Sequence, residues 1–183
     1  MRSPINLPGN GRIQGNRLSP CSARCVRSGQ NMIQKNPRVF LDTSVIIAAV
    51  LSPGGGARKL FLLAEAGILS LVVGPTVLQE CDQVVRRKAP GSSSKLAQLL
   101  AAAGTETSSP PTKRQIKTAQ ASVQYVPDAR VLAEAIRAKP DWFVTHDKVH
   151  FLKSRGTIKL PFEMGTPGDL IQRFKDDFTL LER

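Results

Sequence analysis

The feature that most constrains this chain is a recurring junction, in which a short apolar, β-rich run gives way to a helical pattern beside an acidic residue. The four instances read RVFLDTSVII, SLVVGPTVLQECDQVV, VQYVPDARVLAEAI and DWFVTHDKVHF, and they carry Asp42, Glu80, Asp128 and Asp147. Strands alternating with helices predict βαβ units, a parallel sheet and right-handed crossovers. In such a sheet these junctions lie along one edge, where side chains remote in sequence can meet. Four carboxylates gathered there repel one another, and burying them unpaired is costly. A divalent cation removes that cost. The expectation is therefore an α/β domain with a hard-metal site at its mouth.

Along the chain, residues 1–36 combine Gly, Pro, Ser, Asn and Arg without hydrophobic periodicity, the composition of a disordered basic extension. No apolar segment of signal-peptide type follows Met1, and Met32 offers an alternative start, MIQKNPRVFLDTS. The folded domain is expected over 37–176, with 177–183 as a C-terminal tail. Strands are expected at RVFLD (38–42), ILSLVV (68–73), SVQYV (122–126), DWFVTHD and TIKLP. Between them, helical spacing follows Thr43 or Ser44 through Leu51, then runs through ARKLFLLAEAG to Gly67, and onward from Pro75. KLAQLLAAAG, PTKRQIKTAQA, DARVLAEAIRAK and GDLIQRF complete the helices, and TETSSPPT reads as a loop.

Hydrophobic residues make up 41% of the chain and aromatic ones 5%, so the core is expected to be aliphatic. No apolar run reaches the roughly 18 residues of a membrane span, which predicts a soluble, cytoplasmic protein with no membrane partner. The formal charge of +12 is unevenly spread. Arg2, Arg12, Arg17, Arg24, Arg27, Lys35 and Arg38 all precede the first acidic residue. Without them 19 basic residues face 14 acidic ones, a net of +5. A moderately basic domain beside a phosphate-chemistry site points to RNA as partner. Cys21, Cys25 and Cys81 form no CxxC pair and no zinc spacing with histidine, consistent with a reducing compartment.

Taken singly, each acidic residue has an ordinary explanation. Asp42 and Asp128 suit helix N-caps, Glu80 an exposed helix face and Asp147 a turn. Thr43 or Ser44 could cap the first helix equally well. Their shared position at strand ends is what joins them. Asp141 precedes its strand, at the far end from the site, and reads as structural. His146 reads as a surface residue, His150 as surface or packing, Trp142 and Cys81 as core, and Gly54–Gly56, with no GK[ST] after it, as a turn. Arg86, Arg87 and Lys148 are candidate phosphate contacts, Lys148 the best placed of them.

LDTSVII, GPTVLQE, PDARVLAEAI and DWFVTHDKVHF, in that order, resemble the PIN-domain ribonucleases, in particular the toxin components of bacterial toxin–antitoxin pairs. The likeness covers about residues 37–175. It implies a three-layer α/β/α sandwich around a parallel sheet, with Mg²⁺ or Mn²⁺ held by acidic residues that cut single-stranded RNA. Asp42, Glu80, Asp128 and Asp147 correspond to the acidic quartet, Thr145 to a small hydroxyl residue near the last strand, and Ser44 to the polar position after the first Asp. An antitoxin partner and a homodimer are also implied. Independently, carboxylate oxygens suit Mg²⁺ and Mn²⁺, as one ion or as a pair. Two other classes stay open: a non-catalytic RNA-binding or partner-binding module, and a phosphatase with an aspartyl nucleophile. The latter usually wants an acid where this chain has Ser44.

Overall fold

Val39, Phe40 and Leu41 are fully buried in succession, the pattern of a strand covered on both faces. The computed structural model describes residues 36–122, 126–147 and 160–181, all inside the unit Met32–Arg183. In chain order the described elements are β1 (Arg38–Leu41), α1 (Thr43–Leu51), α2 (Gly56–Glu65), β2 (Ser70–Val73), α3 (Pro75–Lys88), a 3₁₀ turn (Pro90–Ser92), α4 (Ser93–Ala102), β3 (Glu106–Thr107), α5 (Lys113–Ser122), α6 (Val126–Ala138), β4 (Trp142–Val144), β5 (Glu163–Gly165) and α7 (Pro167–Leu181). The five strands form one parallel sheet in the order β3-β2-β1-β4-β5, and with the helices they make a three-layer α/β/α fold.

The core holds more ring packing than its composition promised. Phe40 on β1 pairs with Phe143 on β4 in register, and the rings stack with centroids 5.8 Å apart. Phe143 also meets Phe162 at 6.2 Å. Aliphatic side chains fill the rest, each fully buried Val, Leu or Ile contributing about 1.5–3 kcal/mol. Helix starts use reciprocal caps. Thr112 and Gln115 close a capping box at α5, and Thr166 with Asp169 does the same at α7.

Three expectations change. The segment 122–126 is not a strand where described: Ser122 ends α5 and Val126 begins α6, and 123–125 lie outside the described residues. The remaining parallel strand is β3 instead, inside the segment read as a loop. TIKLP falls largely outside the described residues, and β5 lies just beyond it at Glu163–Gly165. Most of the expected tail is helix, because α7 continues to Leu181. Among the described residues, no single helix is long and apolar enough to cross a membrane. α1 and α2 pass that test only as a pair bent by 92°, and both place side chains in the core.

Candidate active site

The strand order reverses at β1. The chain winds outward through β2 and β3 on one side, and through β4 and β5 on the other. A crevice opens at such a switch point, outside the carboxyl ends of the two strands that flank it. Asp42 follows β1 and Thr145 follows β4, so the topology alone sets them side by side. Asp42 N donates to Val144 O at 3.0 Å, which extends the β1–β4 ladder to the crevice itself.

Asp42 is 7% exposed. Its Oδ2 accepts from Ser44 Oγ at 2.6 Å, Thr145 Oγ1 at 2.8 Å and Ser44 N at 3.3 Å. Asp42 is thus the N-cap of α1, a post for which Thr43 and Ser44 also qualified. Each hydroxyl is fixed from behind: Ser44 Oγ accepts from His146 N at 3.0 Å, and Thr145 Oγ1 from Asp147 N at 2.9 Å. Two backbone N–H groups of the β4 exit loop therefore orient two hydroxyls onto a single carboxylate oxygen. Thr145, fully buried, is the centre of this clasp across the switch point.

Glu80 lies in the second turn of α3, half-buried, and its Oε2 accepts from Thr43 Oγ1 at 2.6 Å. Thr43 directly follows Asp42, so one residue links the first and second acidic groups. Cys81 registers both charges. Its buried thiol is pushed up to about 12, first by burial and then by the negative charges of Asp42 and Glu80, against a hydrogen bond with Thr43. Among the described residues, no lysine, arginine or histidine pairs with Asp42 or Glu80.

Asp147 is half-buried, two residues beyond Thr145, and Asp128 is half-buried in the first turn of α6, which packs against α3. The structure thus links Asp42 to Glu80 and to Asp147 through one hydroxyl residue each, and relates Asp128 to them by helix packing. Among the described residues, no three Asp, Glu, His or Cys side chains stand close enough to form a ready-made metal cluster. The donors themselves suit a hard cation: carboxylate oxygens at a crevice, with no cationic partner for Asp42 or Glu80 among the described residues.

The other candidates separate clearly. Asp141 is structural: its Oδ2 accepts from Arg38 N at 2.8 Å and its N donates to Arg38 O at 2.7 Å, at the amino ends of β1 and β4. His146 is exposed, while Trp142 and Cys81 are core. Arg86 and Arg87 are exposed in the last turn of α3, where basic groups complement the helix dipole, and Arg86 already bonds Asp82 at 2.9 Å. Lys148 and His150 lie outside the described residues.

One buried carboxylate escaped sequence reading. Glu134 on α6 is 2% exposed; its Oε1 accepts from Thr76 N at 2.9 Å and Thr76 Oγ1 at 2.6 Å, at the start of α3. Its carboxyl is raised above the ordinary 4.5, mainly by burial, with hydrogen bonds from Thr76 and Val77 opposing and the charge of Glu80 adding. The available signal was its place in VLAEA, an acid amid four apolar residues that are all buried.

Asp42 and Thr145 thus meet at the switch point of an open parallel sheet, at the carboxyl ends of β1 and β4. The PIN domain family model matches residues 38–149, more than half of the chain, and the chain belongs to the PIN-domain family, whose members are generally nucleases. Its fold is similar to that of a chain in the crystal structure of VapBC2 from Rickettsia felis bound to a DNA fragment from their promoter. The match has a TM-score of 0.50 and 16% identity, and it covers 69% of this chain and 96% of that one. No curated protein matches the chain.

Proposed function

We propose that this protein is a metal-dependent endoribonuclease that hydrolyses RNA phosphodiester bonds, and that it serves as the toxin of a toxin–antitoxin pair. The observation that carries the reading is the Asp42 clasp, a buried carboxylate fixed by neutral hydroxyls from both sides of the switch point and, among the described residues, paired with no cation. Neutral donors orient the group without neutralising it, which leaves its charge for a bound cation. Asp42, Glu80, Asp128 and Asp147 would hold Mg²⁺ or Mn²⁺, which when bound supplies a Lewis acid and an activated water.

The chain's own residues do the positioning. Ser44 and Thr145 hold Oδ2 of Asp42 in one orientation, Thr43 holds Glu80, and the β4 exit loop sets Asp147 beside Thr145. None of these side chains is required to attack phosphorus. Arg86, Arg87 and Lys148 are proposed phosphate contacts along the RNA path, with a net charge of +12 adding long-range attraction. The likeness to VapBC2 supports an antitoxin partner, and homodimerisation in the cytoplasm belongs to the same reading.

The test compares wild type with Asp42→Asn. The asparagine keeps an acceptor for Ser44 and Thr145, so the variant folds, but Mn²⁺ binding by calorimetry and RNA cleavage should fall at least 100-fold. Undiminished cleavage by the variant, or by wild type in excess chelator, rejects the proposal. Tight RNA binding with no metal-stimulated cutting indicates a binding module instead.

A further inference from the structure

Glu134 reaches from α6 to the start of α3, the helix that carries Glu80. Thr76 and Glu80 are four residues apart on α3 and so share one face of that helix. Thr76 is gripped by Glu134 of α6 through both its backbone N–H and its hydroxyl. One turn later Glu80 accepts the hydroxyl of Thr43 at the start of α1. Helix α3 is therefore pinned twice on the same face, once to the helix that carries Asp128 and once to the residue beside Asp42.

The first pin is built with little tolerance. Among the described residues Glu134 Oε2 is buried without a hydrogen-bond partner, and it rests on Gly74, the residue that precedes α3. A Cβ at Gly74 would overlap Oε2 outright and come within 2.6 Å of Glu134 Cδ and 2.9 Å of its Cβ. Gly74 has φ −90° and ψ 158°, a backbone that any residue adopts, so glycine is needed there for space alone. An ordinary helix cap uses a local Ser, Thr, Asp or Asn on the surface. Here the cap comes from a residue 58 positions away, at the cost of burying a carboxylate in the core.

We propose that Glu134 is a positioning residue of the nuclease site: by fixing the start of α3 against α6, it sets where Glu80 stands relative to Asp42 and Asp128. This rests on the function proposed above. Glu134 touches neither the ion nor the RNA and acts only through Thr76 and α3. A cap that was merely structural would change stability and leave metal affinity alone.

The experiment is a Mn²⁺ titration by calorimetry on the full chain, with wild type, Glu134→Ala, Thr76→Val and Thr76→Ser, each checked for a cooperative thermal transition. The expected result is a tenfold or greater loss of Mn²⁺ affinity in Glu134→Ala and Thr76→Val, with Thr76→Ser within threefold of wild type. In RNA cleavage the two weak variants should lose kcat while KM holds. Folded Glu134→Ala and Thr76→Val proteins that bind Mn²⁺ like wild type overturn the proposal, as does a Thr76→Ser protein no better than Thr76→Val. If Glu134→Ala does not fold, Thr76→Val, which keeps the buried volume, decides alone. A wild type that takes up no Mn²⁺ overturns it too, and is told apart because all four proteins then behave alike.

Discussion

The tightest contact beneath the acidic site makes a quantitative demand on Gly74. Replacing it by alanine leaves the backbone in an allowed region, so conformational strain contributes nothing and the whole cost is steric. The new methyl would displace the Glu134 carboxylate, which forfeits two hydrogen bonds from Thr76 at 2.9 and 2.6 Å. Hydrogen bonds to a charged group are worth about 1.5–3 kcal/mol, and those between neutral groups about 0.5–1.5 kcal/mol. Overpacking a dense core costs about 1–3 kcal/mol. Because one displaced side chain is responsible for both losses, they overlap, and a destabilisation of about 2–4 kcal/mol is expected. Urea unfolding of wild type, Gly74→Ala, Glu134→Ala and the double variant measures it. Glu134→Ala removes the carboxylate and leaves only the 2.9 Å approach to its Cβ, so Gly74→Ala should cost clearly less in the Glu134→Ala background than in wild type. A Gly74→Ala protein within about 0.5 kcal/mol of wild type, the usual range of a neutral surface change, refutes the steric account. So does a cost that survives unchanged in the double variant.

Four further outcomes follow from single contacts. Thr43→Val removes the hydroxyl held by Glu80; it should cost about 0.5–1.5 kcal/mol and weaken Mn²⁺ binding, and unchanged titrations would refute the link. Asp141→Ala should lower the thermal midpoint while leaving RNA cleavage intact, since its bonds to Arg38 lie at the opposite sheet edge. Cys81, pushed up to about 12 from an ordinary 9.0, should hold about a thousandfold less thiolate than an exposed thiol. In a chain with Cys21→Ser and Cys25→Ser, iodoacetamide should react only on unfolding. The raised Glu134 carboxyl means that the folded state binds its proton more tightly than the unfolded one. Its contribution is complete below pH 4.5 and is lost as pH rises through the raised value. Relative to Glu134→Gln, wild type should therefore lose stability with rising pH, and parallel melting curves would refute this.

How much of this was legible in the sequence depends on how each residue is buried. β1, β2 and β4 are apolar runs covered on both faces, so composition alone marks them. β3 is two exposed residues, Glu106 and Thr107, on an edge; backbone pairing with β2 holds it, and no side-chain signal announces that. β5 carries little signal of its own, since EMG exposes its Glu and needs Gly165 where Asp169 and Trp142 approach within 3.0 and 3.1 Å of a Cβ. Asp42 and Asp147 were legible because sheet topology places strand ends. Glu134 was not, because a capping acceptor from 58 residues away leaves no local spacing to read.

The same contrast explains the division of labour in the site. Residues that face the crevice sit at strand ends and helix starts, where backbone direction puts a short side chain in place at little conformational cost. The links between elements are made by hydroxyls: Thr145 between β4 and β1, Thr43 between α1 and α3, Thr76 between α3 and α6. A hydroxyl both donates and accepts, so Thr145 can take an N–H from Asp147 while giving its proton to Asp42. Lysine or arginine in those places would hold the carboxylates as firmly but would cancel their charge. A frame of neutral hydroxyls holds Asp42 and Glu80 without setting a cation against either among the described residues.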